Sequence, residues 1–385
     1  MVSSLPLLLL LLGTSSSALN SDSERSGSRS GSRSKRQILI QGRNEYSTRW
    51  PDGVVHYYFS EDWDPQVTEV IALAMEKISN NTCIDFTTEP DDIMVRMYSD
   101  NRNDTCFAGI GWVEDDQPFQ FNKNCMNAGT GVHELIHVLG FMHAHQRRDR
   151  DQYLRVNESM VNEWYAAQTK QHARQKIIVP YDYGSVMQYH GEEYITTDKA
   201  YMRTIGSRVV AYYDYYMINK FYNCFCGDWA EVSCKNHGYP NPRNCSQCIC
   251  PYGYSGDDCS QAPGPILQAT GDWNSVNVTL DAGPEDVHQL DYIYKFLWIR
   301  APDNENKTIE VRMNNISGVE CKQGCGGGGF EVRTRDLRMT SPRECCTADQ
   351  GGETVFKSKN NPTVVMMFNA EGLDEYDLSY RFVDA

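Results

Sequence analysis

The sequence predicts an α+β domain, then a small disulfide-rich module, then an all-β sandwich. Three observations carry that division. Up to Cys224, strand-like runs are interspersed with a helix-period pattern. Between Cys226 and Cys259, six cysteines fall within 34 residues, a stretch too short to bury enough apolar surface without crosslinks. From about Gly264 to the end, short alternating runs are separated by Gly, Pro, Asn and Asp, the pattern of packed β-strands.

The chain opens with an apolar run, Leu5 to Leu12, followed by small residues ending at Ser16-Ser17-Ala18. This reads as a signal peptide over residues 1–18, too short to span a membrane. No other stretch approaches 18 apolar residues, so a soluble, secreted protein with no membrane span is expected. Fourteen cysteines, an even number, fit an oxidising compartment. Sequons at Asn80, Asn103, Asn157, Asn244, Asn277, Asn306 and Asn315 mark candidate glycosylation sites.

Residues 19–43 read as a pro-segment, poor in anything to bury. It offers a processing protease the dibasic Arg33-Ser34-Lys35-Arg36, with Arg43 as a second candidate cleavage point. The first 36 residues carry five Lys/Arg against two Asp/Glu, net +3, which leaves 31 against 49 in the remainder, net −18. A basic leader can hold an acidic body electrostatically, subject to salt screening. The acidic body argues against nucleic acid as partner or substrate.

Within residues 44–224, Val54 to Phe59 read as a strand. Pro65 to Ser79 read as an amphipathic helix with Val67, Val70, Ile71, Ala74, Met75 and Ile78 on its buried side. Ile93–Met97 and Phe119–Phe121 read as further strands. The most informative run follows, His133-Glu134-Leu135-Ile136-His137-Val138-Leu139-Gly140-Phe141-Met142-His143. On a helix, His133 and His137 project from one face and can take two corners of a tetrahedral Zn²⁺. Glu134 points beside the metal, where a base can take a proton from water activated by the ion. Gly140 can adopt the left-handed conformation that stops the helix, bringing His143 back as the third ligand. A bare HExxH run arises by chance, but the added glycine and third histidine form the metzincin signature. Its expected companion is a downstream methionine turn, present as Ser185-Val186-Met187-Gln188-Tyr189. Alone, Met187 would read as core packing.

At these residues the chain closely resembles the astacin metalloproteinases. Arg147-Arg148-Asp149-Arg150-Asp151-Gln152-Tyr153 follows the third histidine as in that family. Thr204-Ile205-Gly206 and Ile218-Asn219-Lys220-Phe221-Tyr222-Asn223-Cys224 match its closing segments, and Trp50-Pro51-Asp52-Gly53-Val54-Val55 its opening strand. The resemblance implies a metzincin fold, with two lobes about a zinc cleft and the substrate backbone running along an edge strand. It implies one Zn²⁺ on His133, His137 and His143, with Glu134 as general base. It also implies that Tyr189 is a switchable fifth ligand whose phenol swings off to hydrogen-bond the oxyanion; otherwise Tyr189 would be a packed aromatic. Family pairing joins Cys83 to Cys224 and Cys106 to Cys125. Two departures bear on activation. The leader has Asp22 without the nearby Phe and Gly of the family's latency motif. Ala144 stands where the family places a glutamate that anchors the mature N-terminus. The expectation is retained activity with a different on-switch.

Residues 225–260 resemble an EGF-like module through Cys248-Ile249-Cys250, Tyr252-Gly253 and Cys259; a zinc knuckle is the rival reading. Residues 264–385 resemble a CUB domain through Leu297–Pro302, Ile309–Met313 and Tyr376–Arg381, although the leading cysteine of many such domains is absent. Cys321, Cys325, Cys345 and Cys346 are expected to pair among themselves. Gly326–Gly329 lacks the Lys-Ser/Thr of a phosphate loop and reads as a mobile hairpin or loop. Tyr212–Tyr216 reads as packing around a C-terminal helix.

The combined expectation is a secreted zinc endopeptidase acting on extracellular proteins or peptides. The alternatives are a catalytically weak protease-like protein that binds through its EGF-like and CUB surfaces, and a zinc hydrolase of small amides or esters.

Overall fold

A computed structural model describes residues 37–38, 49–100, 105–113, 117–161, 171, 176–191, 193–284, 287–302, 307–352 and 354–384. The expected signal peptide, both candidate cleavage points, and the sequons at Asn103 and Asn306 lie outside them.

The first half is built on a five-stranded sheet in the order Asp85–Thr87, Val54–Phe59, Val95–Tyr98, Gln117–Gln120, Phe107–Ala108. Its pairings are parallel except the last. The expected helix divides into a single 3-10 turn at Pro65–Val67 and α1 at Thr68–Asn81. Asp64 causes the division, because its carboxylate accepts from Gln66 N at 3.0 Å and caps the turn that Pro65 opens. All six residues assigned to its apolar side are buried. The strand expected at Ile93 begins instead at Val95, and that expected at Phe119–Phe121 runs from Gln117 to Gln120.

Helix α2, Ala128–Val138, packs on α1 at Gly131, where a Cβ would lie 2.8 Å from that of Ala74. That approach makes the glycine obligatory. A third helix, α3 (Tyr212–Tyr222), buries Tyr212, Tyr213 and Tyr215 as expected and ends at Asn223 in the left-handed conformation. Cys83–Cys224 ties the end of α1 to the end of α3, and Cys106–Cys125 closes the loop before α2; both pairings match the family expectation.

Between Cys226 and Cys259 the pairings are Cys226–Cys245, Cys234–Cys248 and Cys250–Cys259, around the hairpin Tyr239–Asn241/Asn244–Ile249. With all six sulfurs in disulfides, no thiolate remains for a metal, which removes the zinc-knuckle reading.

The last segment is a sandwich. A five-stranded sheet (Ile266–Gln268, Ile293–Arg300, Thr363–Asn369, Gly328–Val332, Arg343–Glu344) faces a four-stranded one (Asn274–Asp281, Leu373–Asp384, Lys307–Ser317, Val355–Ser358). Their inner faces share one apolar cluster that includes Leu280, Val311, Phe330, Met367 and Leu378. Cys321–Cys346 and Cys325–Cys345 pair within this segment, as expected. The glycine run differs from its expectation. Gly328 and Gly329 open a buried strand that pairs with Phe368 and Asn369. Glycine is used there because a Cβ at 328 would run into the Asp374 carboxylate and one at 329 would lie 2.8 Å from the Glu344 carbonyl; close approach, not mobility, explains these two glycines.

The sandwich docks on the first half through both apolar and polar contacts, with Leu290 and Met339 packed on its core and Val209 against Tyr292 and Phe368. Thr340 N donates to Asp182 Oδ2 at 3.2 Å, Arg343 N to Thr204 Oγ1 at 2.9 Å, and Lys77 pairs with Asp291 at 2.5 Å. Ala128 N, the first amide of α2, donates to Leu290 O at 2.6 Å. Among the described residues, no helix is long and apolar enough to cross a membrane.

Candidate metal centre

Helix α2 is short and almost wholly buried. It begins where Asn127 accepts from Gly129 N at 2.8 Å and ends where Gly140, at φ +101°, takes a conformation closed to other residues. The reversal carries His143 back over the helix. Its Nε2 lies 3.2 Å from that of His133 and 3.0 Å from that of His137.

The outer nitrogens of the first two rings are committed. His133 Nδ1 meets Val186 O at 2.6 Å and His137 Nδ1 meets Phe141 O at 2.7 Å. A carbonyl only accepts, so each Nδ1 carries the proton and each Nε2 turns a lone pair inward. Burial depresses the basicity of all three rings, His133 to about 4 and His137 to about 3, with His143 well below its ordinary value. The rings are therefore neutral donors at physiological pH. Lone pairs converging at 3.0–3.2 Å repel unless a cation lies between them. Tetrahedral Zn²⁺ with nitrogens at about 2.05 Å places its ligands about 3.3 Å apart, so the set fits that ion.

The methionine turn supports these rings from below. Asp214, at the start of α3, accepts from Ser185 Oγ at 2.5 Å, Val186 N at 3.0 Å and Ala211 N at 2.9 Å. Burial raises its pKa to about 6 in spite of those bonds. The fixed turn presents Val186 O to His133, and Met187 O accepts from Ala144 N at 2.8 Å. Met187 itself is buried in the main apolar core.

Glu134 is buried one residue along from the first ring. Its carboxyl is pushed up to about 8 by burial, against a hydrogen bond from the Ala108 backbone, while Oε2 has no hydrogen-bond partner among the described residues. The ring of Tyr189 lies 4.1 Å from that of His143 and 6.0 Å from that of His133. Glu134 and Tyr189 both border two adjoining hollows. One, of about 630 Å³, is flanked by the edge strand Phe107–Ala108 and by Met142; the other, of about 190 Å³, by Thr130, Gln188 and Arg208.

All five residues singled out in the sequence (His133, Glu134, His137, His143 and Tyr189) thus meet at one place. Three contributors escaped that reading. Asp214 was hidden inside a tyrosine-rich run, the Ala108 amide is a backbone group with no sequence signal, and Gln146, which hydrogen-bonds His143, reads as an ordinary loop residue. Ala144 is buried beside Met187, with Asp182 and Asp214 as the carboxylates nearby. Of the two expected mature N-termini, Gln37 pairs in a short strand with Ile177, while Asn44 lies outside the described residues.

Three buried neutral imidazoles around one point, with a carboxylate beside it and a cleft above, define the class: a metal-dependent hydrolase. The family model for astacin, a peptidase family, matches residues 42–223. The chain is 50% identical over 334 residues to zinc metalloproteinase nas-22 of Caenorhabditis elegans, which covers 82% of this chain and 90% of that protein. It is 45% identical over 366 residues to zinc metalloproteinase-like protein nas-21 of the same organism, covering 91% and 89%. Among solved structures it is similar to high choriolytic enzyme 1, a hatching-enzyme zinc protease of the medaka fish Oryzias latipes. There the identity is 26%, the coverage 48% of this chain and 98% of that one, and the TM-score 0.44. The chain belongs to the astacin family. It is a zinc metalloendopeptidase, and His133, His137 and His143 form its candidate zinc triad.

Proposed function

We propose that the protein is a secreted endopeptidase in which Glu134 moves the proton and Tyr189 stabilises the developing oxyanion. The observation that carries this is Glu134 itself, a buried carboxyl beside the triad with one oxygen uncommitted. Zinc on the three imidazoles would supply Lewis acidity and render a water acidic enough to lose its proton near neutral pH. Glu134 takes that proton as the water attacks the scissile carbonyl. The protonated carboxyl then passes that proton to the leaving amine. The hydroxyl of Tyr189 donates to the carbonyl oxygen as charge builds there, a contribution of typically about 3 kcal/mol for such a donor. The substrate main chain lies along the Phe107–Ala108 edge. Two adjoining hollows at the centre suit an extended chain, which favours an endopeptidase over a hydrolase of small amides. In this reading residues 44–224 are the catalytic domain, 225–260 an EGF-like module and 264–385 a CUB-like domain. Fourteen paired cysteines support an extracellular setting.

The test is cleavage of gelatin or casein by the processed chain, with and without a zinc chelator, beside Glu134→Ala. That variant should retain zinc and lose roughly 10²–10⁴ in kcat or more. Tyr189→Phe should lower kcat with little change in KM. Near-normal turnover by Glu134→Ala would sink the assignment, and an effect of Tyr189→Phe confined to KM would remove the oxyanion role.

A further inference from the structure

The backbone after Tyr189 is soft at one point. Gly191, two residues on, sits at φ +131°, a conformation that residues with a side chain rarely adopt. Glycine is required, and glycine is the residue with the widest backbone freedom. On the other side of Tyr189 nothing is soft. Gln188 accepts from Tyr181 Oη at 2.5 Å and donates to Tyr189 O at 2.8 Å, while Asp214 holds Ser185 and Val186. Any swing of the Tyr189 segment therefore pivots at Gly191.

Gly191 N donates to Gln323 Oε1 at 3.1 Å, and Gln323 belongs to the sandwich, 132 residues away. The loop that carries it is crosslinked. Cys321–Cys346 and Cys325–Cys345 close it on both sides. Next to Gln323, Gly324 N donates to Arg203 O at 3.1 Å, and a Cβ on Gly324 would lie 2.7 Å from Gly206 O. Arg203 in turn pairs with Glu344 at 3.2 Å. The loop is a stapled peg pressed backbone to backbone against residues 203–206, with one amide oxygen extended to the pivot.

We infer that Gln323 is a positioning residue for the peptidase reaction, acting from the C-terminal sandwich through Gly191 to set where the Tyr189 hydroxyl can reach. It touches no reacting atom. This rests on the oxyanion role proposed for Tyr189, and the test separates the two. Gln323→Met keeps the shape and removes the acceptor; Gln323→Glu keeps an acceptor at the same place. In the full-length processed protein, Gln323→Met should lower kcat about three- to tenfold, the worth of one hydrogen bond of about 1 kcal/mol, with KM unchanged and melting temperature lowered by no more than about 2–4 °C. Gln323→Glu should restore wild-type kcat. The double variant Tyr189→Phe/Gln323→Met should turn over no more slowly than Tyr189→Phe alone, because the second change acts only through the missing hydroxyl. The inference is overturned if Gln323→Met leaves kcat unchanged, if Gln323→Glu falls equally, or if the two losses multiply. Unaltered kcat in Tyr189→Phe would instead remove the reading beneath it.

Discussion

Loss of Glu331, which lies outside the active site, should cost this molecule much of its stability. Its side chain is fully buried, pairs with Arg343 and Arg333 at 3.1 Å each, and accepts from Ser341 N at 2.7 Å. Both guanidinium groups are themselves almost completely buried. Glu331→Gln keeps the shape and the Ser341 bond but leaves two buried cations without a counter-charge. Removing one partner of a buried pair costs about 3–5 kcal/mol, and here one carboxylate serves two partners, which places the loss in the upper half of that range. Arg343→Met leaves the Arg333–Glu331 pair intact, so it should cost less, about 1.5–3 kcal/mol for its charged hydrogen bonds. The Arg343 guanidinium also reaches Ser207 across the interface, so its loss should loosen docking, whereas that of Glu331 should weaken the sandwich itself. The assay is thermal unfolding of the disulfide-intact proteins, followed by near-ultraviolet circular dichroism. At roughly 2–4 °C per kcal/mol, Glu331→Gln should melt about 10 °C below wild type. A Glu331→Gln variant melting with the wild type, or one more stable than Arg343→Met, would refute the ordering.

Two further outcomes are expected. Asp214 has its folded pKa raised by burial to about 6 from 3.8, so the native state holds that proton more tightly than the unfolded chain. Its contribution is fully present below about pH 4 and is lost as pH rises through about 6, a change of about 3 kcal/mol; the difference in melting temperature between wild type and Asp214→Asn should vary across about pH 4–7, and a constant difference would contradict it. The Cys83–Cys224 bridge spans 141 residues and Cys250–Cys259 spans 9. Replacing each pair with alanines should cost about 5 and about 2.5 kcal/mol respectively on chain-entropy grounds, read as denaturation midpoints, and the reverse order would show that native-state terms dominate.

The zinc centre was legible because it is local. Three histidines, a carboxylate and a turning glycine fall within eleven residues, and helical geometry alone decides that His133 and His137 share a face. Helix α1 was legible for a similar reason, since Val67, Val70, Ile71, Ala74, Met75 and Ile78 follow the helical period and nothing else explains them. The edge strand Phe107–Ala108 left no such trace. Two residues make no alternation, and the Ala108 amide that reaches Glu134 belongs to the backbone. Gly328 and Gly329 misled for a physical reason: glycine marks both freedom and close approach, and only the carboxylate and carbonyls pressed against them distinguish the two.

The polar contacts between domains were invisible in the sequence. Hydrophobic patterning locates surfaces that exclude water, yet Thr340, Arg343 and Gln323 dock the sandwich with hydrogen bonds and charges, and each reads in sequence as an ordinary surface residue. Their partners Asp182, Thr204 and Gly191 lie 132 to 158 residues away, beyond any local pattern. The consequence reaches the catalytic machinery at two points. The first amide of the zinc helix is satisfied by Leu290 O, and the pivot behind Tyr189 by Gln323. A chain cut after Cys224 would return both amides to water and expose Val209, which packs against Tyr292 and Phe368. An inter-domain contact is by default a loose one. This one satisfies two backbone amides of the first half, at the start of α2 and behind Tyr189, which ties the sandwich to the elements that carry the metal centre.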